Sequence, residues 1–149
     1  MNLRERLPAL AAALWWGSLS ATGFMVVPLL FAHLPTPAQA GGMAAVLFTA
    51  QSWVALACGL LLIFCARGQE ATARMDWAQG ALLFVVAGLL LALLAEYGVA
   101  PRIVARENLK LWHSVGSAMY LLQWLCAGVV LWKLTSPGPG HPSRSGAPS

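Results

Sequence analysis

His113 and Ser117 stand one helical turn apart in "LKLWHSVGSAMYLLQWL", the run from Leu109 to Leu125. At that spacing an imidazole and a hydroxyl share a helix face, and they are two parts of a nucleophilic set. No acid and no oxyanion-binding arrangement completes the set, so the sequence leans away from an enzyme. An imidazole is also a metal ligand. His33 falls on the same side of the expected bundle as His113, so a haem- or metal-linked redox site on His33 and His113 is the alternative. Two histidines are a sparse ligand set, and the cysteines lie deeper than a copper site would want, so no cofactor is the expectation. The third chemistry is anion binding. Arg102, Arg106 and Lys110 recur every four residues ahead of His113. On a single helix from Pro101 to Trp132, about 48 Å long, they share an arc of roughly 80° with His113, Ser117, Tyr120 and Trp124. The cations would draw an anionic group such as a lipid headgroup, His113 and Ser117 would hydrogen-bond it, and Glu96 would partner Arg102 or Arg106. A plainer use of the same residues is a basic helix start anchored at lipid phosphates, with Ser117 and Tyr120 bonded to neighbouring helices.

Those residues need elements to hold them, and the composition says what kind. Hydrophobic residues make up 59% of the 149 and charged residues only 9%. A water-soluble domain carries about a quarter charged residues, so this chain belongs in lipid. No Asp, Glu, Lys or Arg occurs between Leu7 and Ala66. That stretch holds two spans, split by the turn-rich "HLPTPAQAGG". With about 20 apolar residues needed to cross, the expected spans are about 8–32, 41–66, 77–96 and 111–132. Lipid offers no partner to open backbone groups, so the fold class is all-α: an integral membrane four-helix bundle over residues 1–134. The tail 135–149, rich in Pro, Gly and Ser, is expected to be disordered, and His141 in it carries no role. The start "MNLRER" and the small residues Ala38 and Ala40 mimic a cleaved signal. The run from Leu7 to Ala32 is too long for a signal core, so an uncleaved anchor is expected.

With four spans, Arg4, Arg6, Arg67, Arg74, Lys133 and Arg144 share one side, and Arg102, Arg106 and Lys110 the other. The positive-inside rule then places the N- and C-termini in the cytoplasm. The net charge of +4 reflects this topology, and no basic patch interleaved with aromatics points to nucleic acid. Cys58, Cys65 and Cys126 all fall inside spans, form no CxxC pair, and read as small apolar residues. Helices in lipid associate through small residues. Ala9, Ala13, Gly17 and Ala21, then Gly41, Ala45 and Thr49, then Gly88 and Ala92 form stripes suited to internal seams or to a homodimer face. Trp77, Tyr97, Trp112 and Trp132 mark the interfaces. Trp15, Trp16, Trp53 and Trp124 lie deeper, as bundle packing.

"LWWGSLSATGFMVVPLLFAHLP", "AGGMAAVLF" and "LWHSVGSAMYLLQWL" together resemble the transmembrane protein 205-like family, whose bacterial form is the domain of unknown function numbered 4149. The motifs that carry the resemblance are Trp16-Gly17, Gly23-Phe24, Leu30-Phe31 with Leu34-Pro35, Leu47-Phe48, and His113 with Ser117. Some relatives have glycine directly after the histidine, where this chain has Ser114, or an amide seven residues past it, where this chain has Tyr120. The resemblance implies a four-helix membrane protein from Leu14 to Trp132 and supplies no reaction. The resulting expectation is a multi-pass protein of a bacterial inner membrane: an accessory or ligand-binding protein with an outer polar cleft lined by Glu96, Arg102, Arg106, His113 and Ser117. Its partners would be membrane lipids, with a second copy or another membrane protein as further candidates. A small transporter subunit is the remaining alternative, handicapped by four spans without a visible repeat.

Overall fold

The computed structural model describes residues 3–67 and 75–136, with side chains for residues 6–67 and 80–136. Arg74, His141 and the tail beyond Ser136 lie outside the described residues, as do the side chains of Arg4 and Trp77. Among the described residues the chain is all helix. The elements are α1 (Leu3–Ala21), a π-helical turn (Thr22–Val26), α2 (Val27–His33), α3 (Pro37–Arg67), α4 (Met75–Leu94), a second π turn (Ala95–Val99), α5 (Ala100–Val104) and α6 (Leu109–Thr135). Four stretches are long and apolar enough to cross a membrane: Arg6–His33, Pro37–Arg67, Gly80–Val104 and Leu109–Thr135. The protein is a multi-pass membrane protein built as an up-down-up-down bundle in which each span packs on its sequence neighbours and α1 closes the ring on α6.

Prolines account for both π turns. A proline lacks the N–H that residue i−4 needs, and its ring crowds that carbonyl. Pro28 and Pro101 each strip a partner from the residue four before, Phe24 and Tyr97, which are the central residues of the two π turns. The helix widens there by one residue, and the following amides reach five back: Val27 N–H to Thr22 O, and Ala100 N–H to Ala95 O. Proline also starts α3, where Pro37 holds the first position and Thr36 caps the helix, its Oγ1 accepting the Gln39 N–H at 3.3 Å.

The core is small residues around one large one. Trp15 is 0% exposed and packs among Ala12, Leu19, Ala55, Leu89, Ala92 and Ala127. Gly88 leaves room for its indole: a Cβ there would lie 2.7 Å from Trp15 Cη2. The outward faces are equally apolar, with Phe64, Leu83 and Leu90 exposed, as lipid-facing surfaces require.

Three expectations are corrected. The buried face of α1 is Ala11, Ala12, Trp15 and Leu19, while Ala13 of the predicted stripe is exposed. The buried face of α3 runs through Ala40, Ala44, Gln51, Ala55, Cys58 and Leu62, so Ala45 and Thr49 fall off it and are exposed. Alanine-rich spans hold several small stripes side by side, and the large side chains decide which one turns inward. Gly88 and Ala92 do line the core. Trp53 is 63% exposed, whereas Trp15, Trp16 and Trp124 pack inside. The single helix from Pro101 to Trp132 does not exist. Pro101 ends the third span, and the chain reverses at an elbow where Arg106 (φ 57°) and Asn108 (φ 36°) are left-handed. Cys58, Cys65 and Cys126 are free thiols.

Candidate functional site

Polar contacts concentrate on three seams. Between α1 and α3, buried Gln51 donates from Nε2 to Ser18 Oγ (3.0 Å) and accepts from Thr22 Oγ1 (3.3 Å). Between α1 and α6, Tyr120 donates to Leu19 O (2.7 Å), and Trp124 Nε1 donates to Ser20 Oγ (2.8 Å), which donates to Trp16 O (2.8 Å). Replacing Ser20 with alanine strands the Trp124 N–H in a part-buried position. The expected loss of bundle stability is about 0.5–1 kcal/mol, read from denaturant titration in detergent micelles, since interhelical hydrogen bonds in membranes are individually weak.

The motif residues named from the sequence acquire a common role here. Trp16 packs on Trp124 with ring centroids 5.6 Å apart. Phe24 meets Trp124 edge-on at 5.5 Å, and Phe48 meets Tyr120 edge-on at 5.3 Å. Gly23 lies against the Tyr120 ring, where a Cβ would fall 2.5 Å from Cε1. Trp16, Gly23, Phe24 and Phe48 of these motifs therefore seat Tyr120 and Trp124 of α6.

Above that aromatic floor the α6 flank opens. Lys110, His113 and Ser117 share the flank of Tyr120 and Trp124 but are exposed. The first π turn is the cause. Beyond it, α2 packs on α3 rather than on α6 and buries none of its residues. The upper two turns of α6 lose the neighbour that α1 provides lower down. His33 is exposed at the end of α2, its Nδ1 3.0 Å from Leu29 O. Leu30 and Leu34 are half-buried, and Phe31 and Pro35 are exposed. Among the described residues no group of three or more His, Cys, Asp or Glu side chains converges on one point.

The elbow gathers the cations without Glu96. Arg102 donates from Nη1 to Gly98 O (2.7 Å), and its guanidinium lies 4.5 Å from the ring centroid of Trp112. A guanidinium on an indole face is favoured by the ring quadrupole. Arg106 and Lys110 are exposed beside it. Glu96 is half-buried on the third seam, facing α3. Thr49 Oγ1 donates to its Oε1 (2.8 Å), and Ser52 Oγ lies 3.4 Å from its Oε2. The structure thus unites Arg102 with Trp112, and His113 and Ser117 on one open flank, but sets Glu96 apart on the hydroxyls of Ser52 and of Thr49, which the sequence placed only in a small-residue stripe. The signal for them was the interruption "TAQS", Thr49 to Ser52, in an otherwise apolar span.

A family model described as "Domain of unknown function (DUF4149)" matches residues 10–111. The chain belongs to the DUF4149 family. No curated protein and no solved structure matches it. The DUF4149 match takes in Trp16-Gly17, Gly23-Phe24, Leu47-Phe48, Glu96 and the elbow, and it stops short of His113 and Ser117. His113, Ser117, Tyr120 and Trp124 of the α6 flank therefore lie beyond the part of this DUF4149 protein that carries the family match.

Proposed function

We propose that this DUF4149 protein is a non-enzymatic accessory protein of a bacterial inner membrane, related to the transmembrane protein 205-like proteins, that holds anionic lipid headgroups at its elbow end. Both termini face the cytoplasm in this reading, so the elbow lies on the outer side. The observation that carries it is the open α6 flank: α2 turns onto α3 and leaves Lys110, His113 and Ser117 exposed, with Arg102 and Arg106 in the adjoining elbow segment. Lipid reaches such an uncovered flank from the side while the cations at the elbow end meet its phosphate. The guanidinium held on Trp112 is already ordered, so less freedom is lost on binding. Glu96 is not part of this lining, because its carboxyl is engaged with Thr49 and Ser52.

Native mass spectrometry of the full chain, released from vesicles of mixed phosphatidylglycerol and phosphatidylcholine, tests the reading. A basic side chain near a membrane surface contributes about 1 kcal/mol to the hold on an anionic lipid. Arg106→Gln and Lys110→Gln should each lower phosphatidylglycerol retention roughly fivefold, and raised salt should weaken it further. Equal retention of both lipids, or insensitivity to both substitutions, would refute it.

A further inference from the structure

We propose that two copies of this chain pair through spans two and three, each seating Trp53 in a notch beside Glu96 and Tyr97 of the other.

A repeat inside the bundle defines the notch. The two π turns, Thr22–Val26 and Ala95–Val99, lie 73 residues apart, as do Pro28 and Pro101. At the same interval buried Ala12 and Leu19 of α1 fall on buried Val85 and Ala92 of α4. Between α3 and α6 the interval is 72, and Gln51, Ala55 and Cys58 fall on Gln123, Ala127 and Val130, all buried. Spans three and four thus repeat spans one and two from the same side of the membrane, as parallel hairpins about an axis along the membrane normal. Equivalent residues meet at such an axis. Trp15 lies over Gly88, and Phe48 is edge-on to Tyr120 at 5.3 Å. Few equivalent residues are identical apart from the prolines and Val26 with Val99, so the sequence alone does not announce the repeat.

Each hairpin's π turn packs on the second helix of the other hairpin. Where the first π turn meets α6, Gly23 lies against Tyr120, Phe24 is edge-on to Trp124, and the Trp124 indole donates to Ser20. Where the second meets α3, Glu96 stands in the place of Gly23, Tyr97 in that of Phe24, Phe48 in that of Tyr120, and Ser52 in that of Trp124. A hydroxymethyl group occupies the position that an indole fills in the first half. Tyr97 is 69% exposed and has no ring partner among the described residues. The Glu96 carboxyl accepts from Thr49 and Ser52 and keeps lone pairs for a further donor.

The group that fits is the one the first half uses, an aromatic ring with an N–H. Trp53 supplies it. It stands at the middle of the span Pro37–Arg67, is 63% exposed, and its N–H has no partner among the described residues. Tryptophan favours the membrane interfaces, where its N–H meets headgroups or water. At mid-span the acceptor has to come from protein. Rotation about the membrane normal keeps every residue at its depth, so Trp53 of a second copy arrives level with Ser52, its neighbour in the chain. The exchange is reciprocal, as a twofold interface requires. Exposed Gly42, Ala45 and Thr49 share the helix face of Trp53 and let two α3 helices approach closely.

The full chain in phosphatidylcholine vesicles tests this in two ways. With Trp53→p-benzoylphenylalanine, irradiation should join two differently tagged copies, and mass spectrometry should place the adduct on the segment that holds Glu96 and Tyr97. Energy transfer between labelled wild-type copies, followed over lipid dilution, gives the pairing affinity. Trp53→Leu removes two seated rings from each dimer and should weaken pairing roughly a hundredfold, at about tenfold for each ring. Ser52→Trp fills the notch from within, as Trp124 does in the first half, and should weaken pairing to a similar degree with Trp53 still present. Sodium dodecyl sulfate titration checks that each variant bundle is intact, and Trp53→Leu, at an exposed position, decides the matter even where Ser52→Trp does not fold. Adducts with lipid or with another segment only, wild-type copies that stay single at every dilution, or pairing that survives either substitution in a folded bundle would overturn the proposal.

Discussion

Trp15→Ala should destabilise the bundle by about 3–5 kcal/mol, measured by sodium dodecyl sulfate titration from mild-detergent micelles. Trp15 is the largest of the fully buried side chains, with 0% exposure, and it touches the interior of the ring of spans rather than a single neighbour. Lipid tails are as apolar as the core, so the loss is not a hydrophobic transfer. It is the loss of close contacts that the surrounding alanines are too short to replace. Trp15→Phe separates volume from polarity. Nε1 of Trp15 is the buried side-chain nitrogen or oxygen without a hydrogen-bond partner among the described residues. Phenylalanine removes that orphan donor and keeps an aromatic ring in place. The expected change is therefore below about 1.5 kcal/mol. If Trp15→Ala unfolds at the wild-type detergent fraction, the indole is not what holds the four spans together.

That centre was not legible in the sequence, although the spans around it were. Span number follows from run length and hydropathy, which are one-dimensional signals, and lipid enforces helices on any such run. Facing direction needs periodicity, and a span that is apolar toward both lipid and core has none to offer. So Trp15 and Trp53 looked alike, yet one is the core and the other is exposed. The stripe Ala9, Ala13, Gly17 and Ala21 had the right spacing, yet Ala13 is exposed and the deepest face of α1 is Ala11, Ala12, Trp15 and Leu19. The polar arc on span four rested on helical continuity through residues 105–108. Left-handed backbone at Arg106 breaks it, and nothing in an arginine announces a positive φ. Asn108 tolerates that region more readily and was the available cue.

The site divides along the same line. His113, Ser117, Tyr120 and Trp124 do lie on one flank of α6, because their spacing is a local property of one helix. What covers that flank is a property of another span, set by Pro28 and the π turn ahead of it. Glu96 was legible as an acid at the outer end of the third span. Its partners were not, because Thr49 and Ser52 lie 47 and 44 residues away and hydroxyls in a span read as neutral filler. The motif pairs Trp16-Gly17, Gly23-Phe24 and Leu47-Phe48 were legible as a pattern, and only the fold shows them converging on Tyr120 and Trp124.

Gly88→Val should cost about 1–3 kcal/mol in the same titration, and Gly59→Ala should cost far less. Both glycines lie at close crossings of spans. The three atoms nearest a Cβ at Gly59 would be side-chain carbons of Leu89, at 2.5 to 2.9 Å, and a leucine side chain can change rotamer. Alanine also gains about 1 kcal/mol of helix propensity over glycine, which offsets the repacking. At Gly88 the neighbours are Trp15 Cη2 at 2.7 Å and Cζ2 at 2.8 Å, with Cys126 Cβ at 3.5 Å behind. The indole is rigid and enclosed on every side, so it cannot yield without moving α1 against α4. Valine adds two further methyl groups at that point and gains less from helix propensity than alanine does. Coupling follows from the same contact. In the double variant Trp15→Ala with Gly88→Val, the new side chain enters the space the indole vacated, so the double variant should be more stable than the sum of the single losses predicts. Additive losses would mean that Gly88 is glycine for a reason other than the indole.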